Sequence, residues 1–175
     1  MPRTAPPVPA DPDDARKAAH GAALRMLAGR EMSTARVRER LRSRGFPDDV
    51  IDLTVERLTG AGILDDRRAA QAAARTLVSI RHRGRHRVGR ELERLGFTKE
   101  MAQDVTQAVL ADADERAVLE QVVAAKLHGR RSIPDAAAYR RIFAALLRRG
   151  FPGDLIRNAL RPHWGRGAEP EEAGE

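Results

Sequence analysis

Apolar residues recur at helical spacing along most of the chain: Leu24 and Leu27, Val37 and Leu41, Ile51, Val55 and Leu58, then Ala69, Ala73, Leu77 and Ile80. Steps of three and four put such residues on one face of a helix, which predicts amphipathic helices packed through that face. No stretch alternates β-branched and aromatic residues over five or more positions, so no strand is expected. The pattern predicts an all-α chain.

A second regularity is superimposed on the first. The motif Leu-x-x-x-Gly-Phe occurs at Leu41, Gly45 and Phe46, at Leu92, Gly96 and Phe97, and at Leu146, Gly150 and Phe151, with the glycines 51 and 54 residues apart. A helix commonly stops on a left-handed Gly, and the residue after it then packs back on the apolar residue one turn before. Each motif therefore predicts a helix stop in which Phe touches Leu. A new helix follows at once, since Pro47 and Pro152 suit a first helical turn and Thr98 can cap one. Apolar residues stand four positions after each Phe (Val50, Met101, Leu155), and twelve after the first two (Leu58, Val109). Each unit is thus a leading helix, a short second helix ending in Gly-Phe, and a third helix. The limits are 15–64, 65–112 and 113–164. A unit of about 50 residues buries little by itself, so three in tandem are expected to share neighbours in an elongated, curved array. Five prolines within residues 1–14 predict a disordered arm, and residues 165–175, rich in Gly, Glu and Pro, a flexible acidic tail.

Composition narrows the chemistry. With no Cys and only six aromatic residues in 175, the core must come from Leu, Ala, Val and Ile. Disulfides, thiolate metal sites and cysteine nucleophiles are excluded. No apolar run approaches the roughly 20 residues that span a bilayer, and the N-terminus has no apolar signal core, so no membrane association and a cytoplasmic location are expected. Phosphate-binding loops, nucleophile elbows and metalloprotease motifs are missing, which points to a protein that is not an enzyme and needs no cofactor.

Charge changes the picture most. The formal charge is +7, but residues 1–14 carry one Arg against three Asp, and residues 168–175 carry four Glu and no base, which leaves the body at +13. A folded unit this basic attracts polyanions, nucleic acid above all. The densest segment holds Arg75, Arg81, Arg83, Arg85, Arg87 and Arg90, side chains expected to be exposed and suited to bidentate phosphate contact. The second helix of unit one adds Arg36, Arg38, Arg40, Arg42 and Arg44, and that of unit three Arg140, Arg141, Arg148 and Arg149. Alternate spacing spreads the unit-one set around its helix, so only part of it, Arg36, Arg40 and Arg44, shares a face.

Other constellations have plainer readings. His82 and His86 have metal-chelating spacing, but Gly84 lies between them and no carboxylate completes a shell, so no metal is expected. Asp65 and Asp66 follow Gly62-Ile63-Leu64 and read as a helix N-cap, with their charge against the helix dipole. Tyr139, beside Ile142 and Phe143, reads as a packing residue more than a base-stacking one.

The Leu-x-x-x-Gly-Phe repeat, the helix from Ala22 to Arg30, and the run Leu64-Asp65-Asp66-Arg67-Arg68-Ala69-Ala70 followed by Gly84 and Val88-Gly89-Arg90-Glu91-Leu92 together resemble the RecX family over roughly residues 15–164. The family usually has an aromatic residue where this chain has Ala69. The resemblance implies a cytoplasmic bacterial regulator, acting in DNA repair and the SOS response, that lies in the groove of the RecA–DNA filament and inhibits RecA. It also implies a monomer made of three-helix repeats that binds single- or double-stranded DNA only weakly alone. In that reading Asp65 and Asp66 fix the joint between units one and two. Charge alone leaves open an autonomous, sequence-nonspecific DNA-binding module.

Overall fold

The computed structural model describes Pro9 and residues 11–164, so the acidic tail and most of the Pro-rich arm lie outside the described residues. Among those described, the regular elements are α1 (Pro12–Leu27), α2 (Thr34–Arg42), α3 (Asp48–Gly60), α4 (Asp66–Arg75), α5 (Arg85–Arg94), α6 (Lys99–Ala113), α7 (Glu115–Leu127), α8 (Ala136–Arg149) and α9 (Gly153–Leu160). A π-helical segment, Thr76–Ile80, continues α4, and a 3-10 turn, Arg161–His163, follows α9. The only extended pairing described is an isolated bridge between Ile133 and Trp164. The fold is all-α. Helix α1 begins inside the segment read as an arm, because the Asp11 carboxylate accepts the Asp13 and Asp14 N–H groups at 2.9 and 3.1 Å and so caps the helix at Pro12.

Contacts group the chain into two compact units, residues 1–73 with 92–102 and residues 74–91 with 103–175. The middle triplet, α4 to α6, therefore contributes to both rather than forming a unit of its own. In the first unit Val37, Leu41, Ile51 and Leu58 are fully buried, and α1 closes on them through Ala19 and Ala23. Alanines bring α1 close, while Leu24, one turn from the core face, is 37% exposed. In the second unit Leu119, Leu146, Phe151, Ile156 and Leu160 form the corresponding core with Val78 and Val88.

The three Gly-Phe corners share one geometry. Gly45, Gly96 and Gly150 have φ of 85°, 91° and 93°. Each following Phe N–H donates to the carbonyl of its Leu at 3.3 Å, and each Gly N–H donates to the next carbonyl at 2.9 Å. Those two bonds define the Schellman stop, and they carry each Phe to within 8% exposure over a Leu that is fully buried. Beyond the corner the register differs from the predicted offset of four: Val50 is buried but Met101 and Leu155 are half-buried, whereas Ile51, Ala102 and Ile156, at offset five, are sealed. Pro47 and Pro152 both occupy the extended N-cap position rather than the first helical turn. Thr98 caps α6 by accepting the Met101 N–H at 3.3 Å.

The Ala69, Ala73, Leu77 and Ile80 stripe also breaks. Ala69, Ala70, Ala74, Leu77 and Val78 are buried, while Ile80 is 72% exposed. From Thr76 onward the backbone winds as a π-helix, which turns successive side chains through a smaller angle and carries Ile80 off the core face.

Candidate interaction surface

In the first unit, α2 starts at a crowded joint. The Ser33 hydroxyl accepts the Arg36 N–H at 3.2 Å and donates to the Leu95 carbonyl at 2.5 Å, and Ser33 is 2% exposed. The Asp66 carboxylate accepts the Thr34 N–H at 2.7 Å, while Asp65 caps its own helix through the Arg68 N–H at 2.9 Å. The aspartate pair is thus two caps, one for α4 and one reaching across to α2. A Cβ on Gly96 would lie 2.9 Å from Ser33 Oγ and 3.1 Å from Ala35 Cβ, so the corner ending α5 presses on the start of α2. Arg68 completes the joint with bonds to Glu31 and to the Gly62 and Ile63 carbonyls. Hydrogen bonding to the Glu31 carboxylate raises the Arg68 guanidinium above its ordinary pKa.

The second unit repeats the arrangement one triplet on. Here Gly84 and His86 N–H groups at the start of α5 donate to the Arg149 and Gly150 carbonyls, each at 3.0 Å. A Cβ on Gly84 would lie 2.5 Å from the Phe151 nitrogen and 2.6 Å from the Gly150 carbonyl, and one on Gly150 would collide with the Arg87 backbone. Backbone meets backbone here, and only glycine fits. The turn before α5 is tied to α8 as well: Arg149 Nη1 donates to the Arg81 carbonyl at 3.3 Å.

The arginines divide into engaged and open ones. Arg85 donates through its backbone N–H and Nε to Glu115 at 2.7 and 2.6 Å, and Arg87 Nε bonds Glu91 at 2.7 Å; Glu115 and Glu91 are 6% and 7% exposed. Both arginine side chains keep exposed surface, 56% and 43%, but each also balances a buried carboxylate. Glu91 could have been suspected from its i,i+4 spacing to Arg87, but nothing in the sequence links Glu115 to a residue 30 positions away. On α2, Arg36 pairs with Glu39 at 2.8 Å, Arg38 with Asp52, and Arg42 with Asp48 at 2.7 Å. Arg90 Nε bonds the His86 carbonyl at 3.1 Å. Arg40, Arg44, Arg75, Arg81, Arg83, Arg140, Arg141 and Arg148 form no ion pair among the described residues.

The remaining candidates fall into place locally. His82 sits in the turn before α5 with φ of 47° and His86 lies within α5, so the two do not share a helical face. Among the described residues no group of three His, Cys, Asp or Glu side chains could hold a metal ion. Tyr139 is half-buried, stacked on Phe143 with centroids 6.0 Å apart and met edge-on by Trp164 at 4.9 Å.

Fold and surface together define a class: an all-α protein of recurring helix triplets, joined through glycine corners and carrying arginine-rich second helices. Residues 19–58 match the model of the RecX first three-helix domain, and residues 114–160 that of the RecX third three-helix domain. The regulatory protein RecX of Trichlorobacter lovleyi is 34% identical over 78% of this chain and 89% of its own length, and that of Mycobacterium avium 32% identical over 89% and 90%. The crystal structure of RecX from Lactobacillus salivarius superposes with a TM-score of 0.74 at 23% identity, covering 85% of this chain and 96% of that one, a likeness of fold. The chain belongs to the RecX family. No helix among the described residues is long and apolar enough to cross a membrane.

Proposed function

We propose that the chain is a non-catalytic negative regulator of the RecA recombinase that binds the RecA–DNA filament and inhibits its extension, ATP hydrolysis and strand exchange. The observation that carries this reading is the identity of 31 to 34% with proteins named regulatory protein RecX over most of their length and of this chain. A body at +13 supports it, because a filament wrapped on DNA is a polyanion. The arginines without ion pairs, Arg40, Arg44, Arg75, Arg81, Arg83, Arg141 and Arg148, are the contacts we assign, with Arg36, Arg85, Arg87 and Arg90 contributing only what their present partners leave free. The protein acts as a monomer in the bacterial cytoplasm, in DNA repair and the SOS response, without a cofactor. Repeat limits of 15–64, 65–112 and 113–164 remain our division of the sequence.

The mechanism is occupancy: a helical array seated on neighbouring subunits blocks growth or substrate access. Substoichiometric protein should then slow strand exchange and ATP hydrolysis on single-stranded DNA, since one blocked end silences many later subunits. Unchanged rates at a molar excess over RecA would refute it. The basic body also favours a second reading, a DNA-binding module acting alone. Co-sedimentation separates the two: the regulator binds filaments far more tightly than naked DNA, whereas the module binds both alike.

A further inference from the structure

Several unusual features meet in eight residues between α4 and α5. Thr76–Ile80 is π-helical, His82 holds a left-handed φ of 47°, and Ile80 projects an apolar side chain that is 72% exposed. Such departures from regular backbone cost energy and concentrate at functional sites. The turn is nonetheless held firmly. Leu77 and Val78 beneath it are 5% and 0% exposed, and the Arg81, His82 and Arg83 N–H groups bond back to the Thr76, Val78 and Leu77 carbonyls at 3.2, 3.1 and 3.0 Å. Arg149 clamps the Arg81 carbonyl from α8. Ile80 is therefore presented on a rigid base and loses little conformational freedom on being covered.

The charges around it favour a protein over a nucleic acid. Arg85 and Arg87 are committed to Glu115 and Glu91, which leaves Arg81 beside Ile80 as the open cation of the turn, with Arg83 half-buried behind it. Residues 75–90 contain no acid, so the complementary surface is negative. A phosphate contact makes no use of a projecting isoleucine, whereas an apolar side chain with an arginine beside it supplies the desolvated anchor and the charged rim of a protein hot spot. We infer that the Thr76–Arg83 turn is a protein-docking element, in which Ile80 enters an apolar pocket on the partner protein and Arg81 meets carboxylates at that pocket's rim. Resting on the regulatory reading above, this places the partner among the protein subunits of the filament.

The test compares wild type with Ile80→Asp, Ile80→Ala and Arg81→Ala for binding to RecA filaments on single-stranded DNA and to the same DNA naked, with melting temperature as a control. Ile80→Asp should weaken filament binding at least tenfold and Ile80→Ala several-fold, with naked-DNA affinity and melting temperature unchanged. Arg81→Ala should slow association and reduce its salt dependence on filaments alone. Equal losses on filaments and naked DNA would overturn the inference and make Ile80 a wedge between bases. Filament binding by Ile80→Asp at the wild-type level would overturn it while leaving the regulatory reading intact. A wild-type chain that ignores filaments would remove both.

Discussion

Thr106 occupies the ninth position after its Phe, where the first triplet has Val55 and the third has Leu160, and its hydroxyl is buried with no hydrogen-bond partner. Thr54, by contrast, donates to the Val50 carbonyl at 2.8 Å and costs nothing comparable. Thr106→Val keeps the shape and removes the orphan, so chemical denaturation should show a gain of about 1 kcal/mol. Glu115 presents the opposite case. Its carboxylate satisfies both the first N–H of α5 and the Arg85 guanidinium, so Glu115→Ala should lose about 2 kcal/mol, read from the same denaturation midpoint. Neither residue was legible from the sequence: a buried carboxylate and an orphan hydroxyl look like surface residues until the fold brings distant partners to them.

At the scale of elements, the helix stops were legible because everything they need lies within six residues: the Leu, the left-handed Gly and the Phe. What each stop presses against was not, because Gly150 meets residues 84–87 and Gly96 meets residues 33–35, separations no local pattern encodes. The π-helical segment was illegible for another reason, since Thr76–Ile80 satisfies a normal helical spacing up to the point where its hydrogen bonds change. Two glycines with similar backbone angles separate the conformational cost from the contact cost. Gly62 has φ of 68° with nothing within 4 Å of a built Cβ, so Gly62→Ala should lose about 1 kcal/mol. Gly150→Ala adds collision with the Arg87 backbone and should lose about 3 kcal/mol or more, a difference visible in paired thermal melts.

For the molecule as a whole, charge was readable from composition but its deployment was not. Replacing Arg81, Arg83, Arg85 and Arg87 together would strand two buried carboxylates and confuse folding with binding. A cleaner set is Arg40→Ala with Arg44→Ala in one variant and Arg141→Ala with Arg148→Ala in another, none of them paired among the described residues. Helical content should hold, since alanine is the better helix former. If these side chains meet phosphate, the log–log salt plot of affinity should flatten by up to about 0.7 to 0.9 per lost contact, and an unaltered slope would mark them as a solvated face.

The backbone joint at Gly84 leaves a signature in time as well as in energy. The first amides of a helix have no partner inside it and exchange with solvent quickly, yet those of Gly84 and His86 are bonded to carbonyls of another helix. In deuterated buffer they should survive as long as the core of α8, and Gly150→Ala should release them to the rate of a frayed end while amides deep in α2 keep theirs.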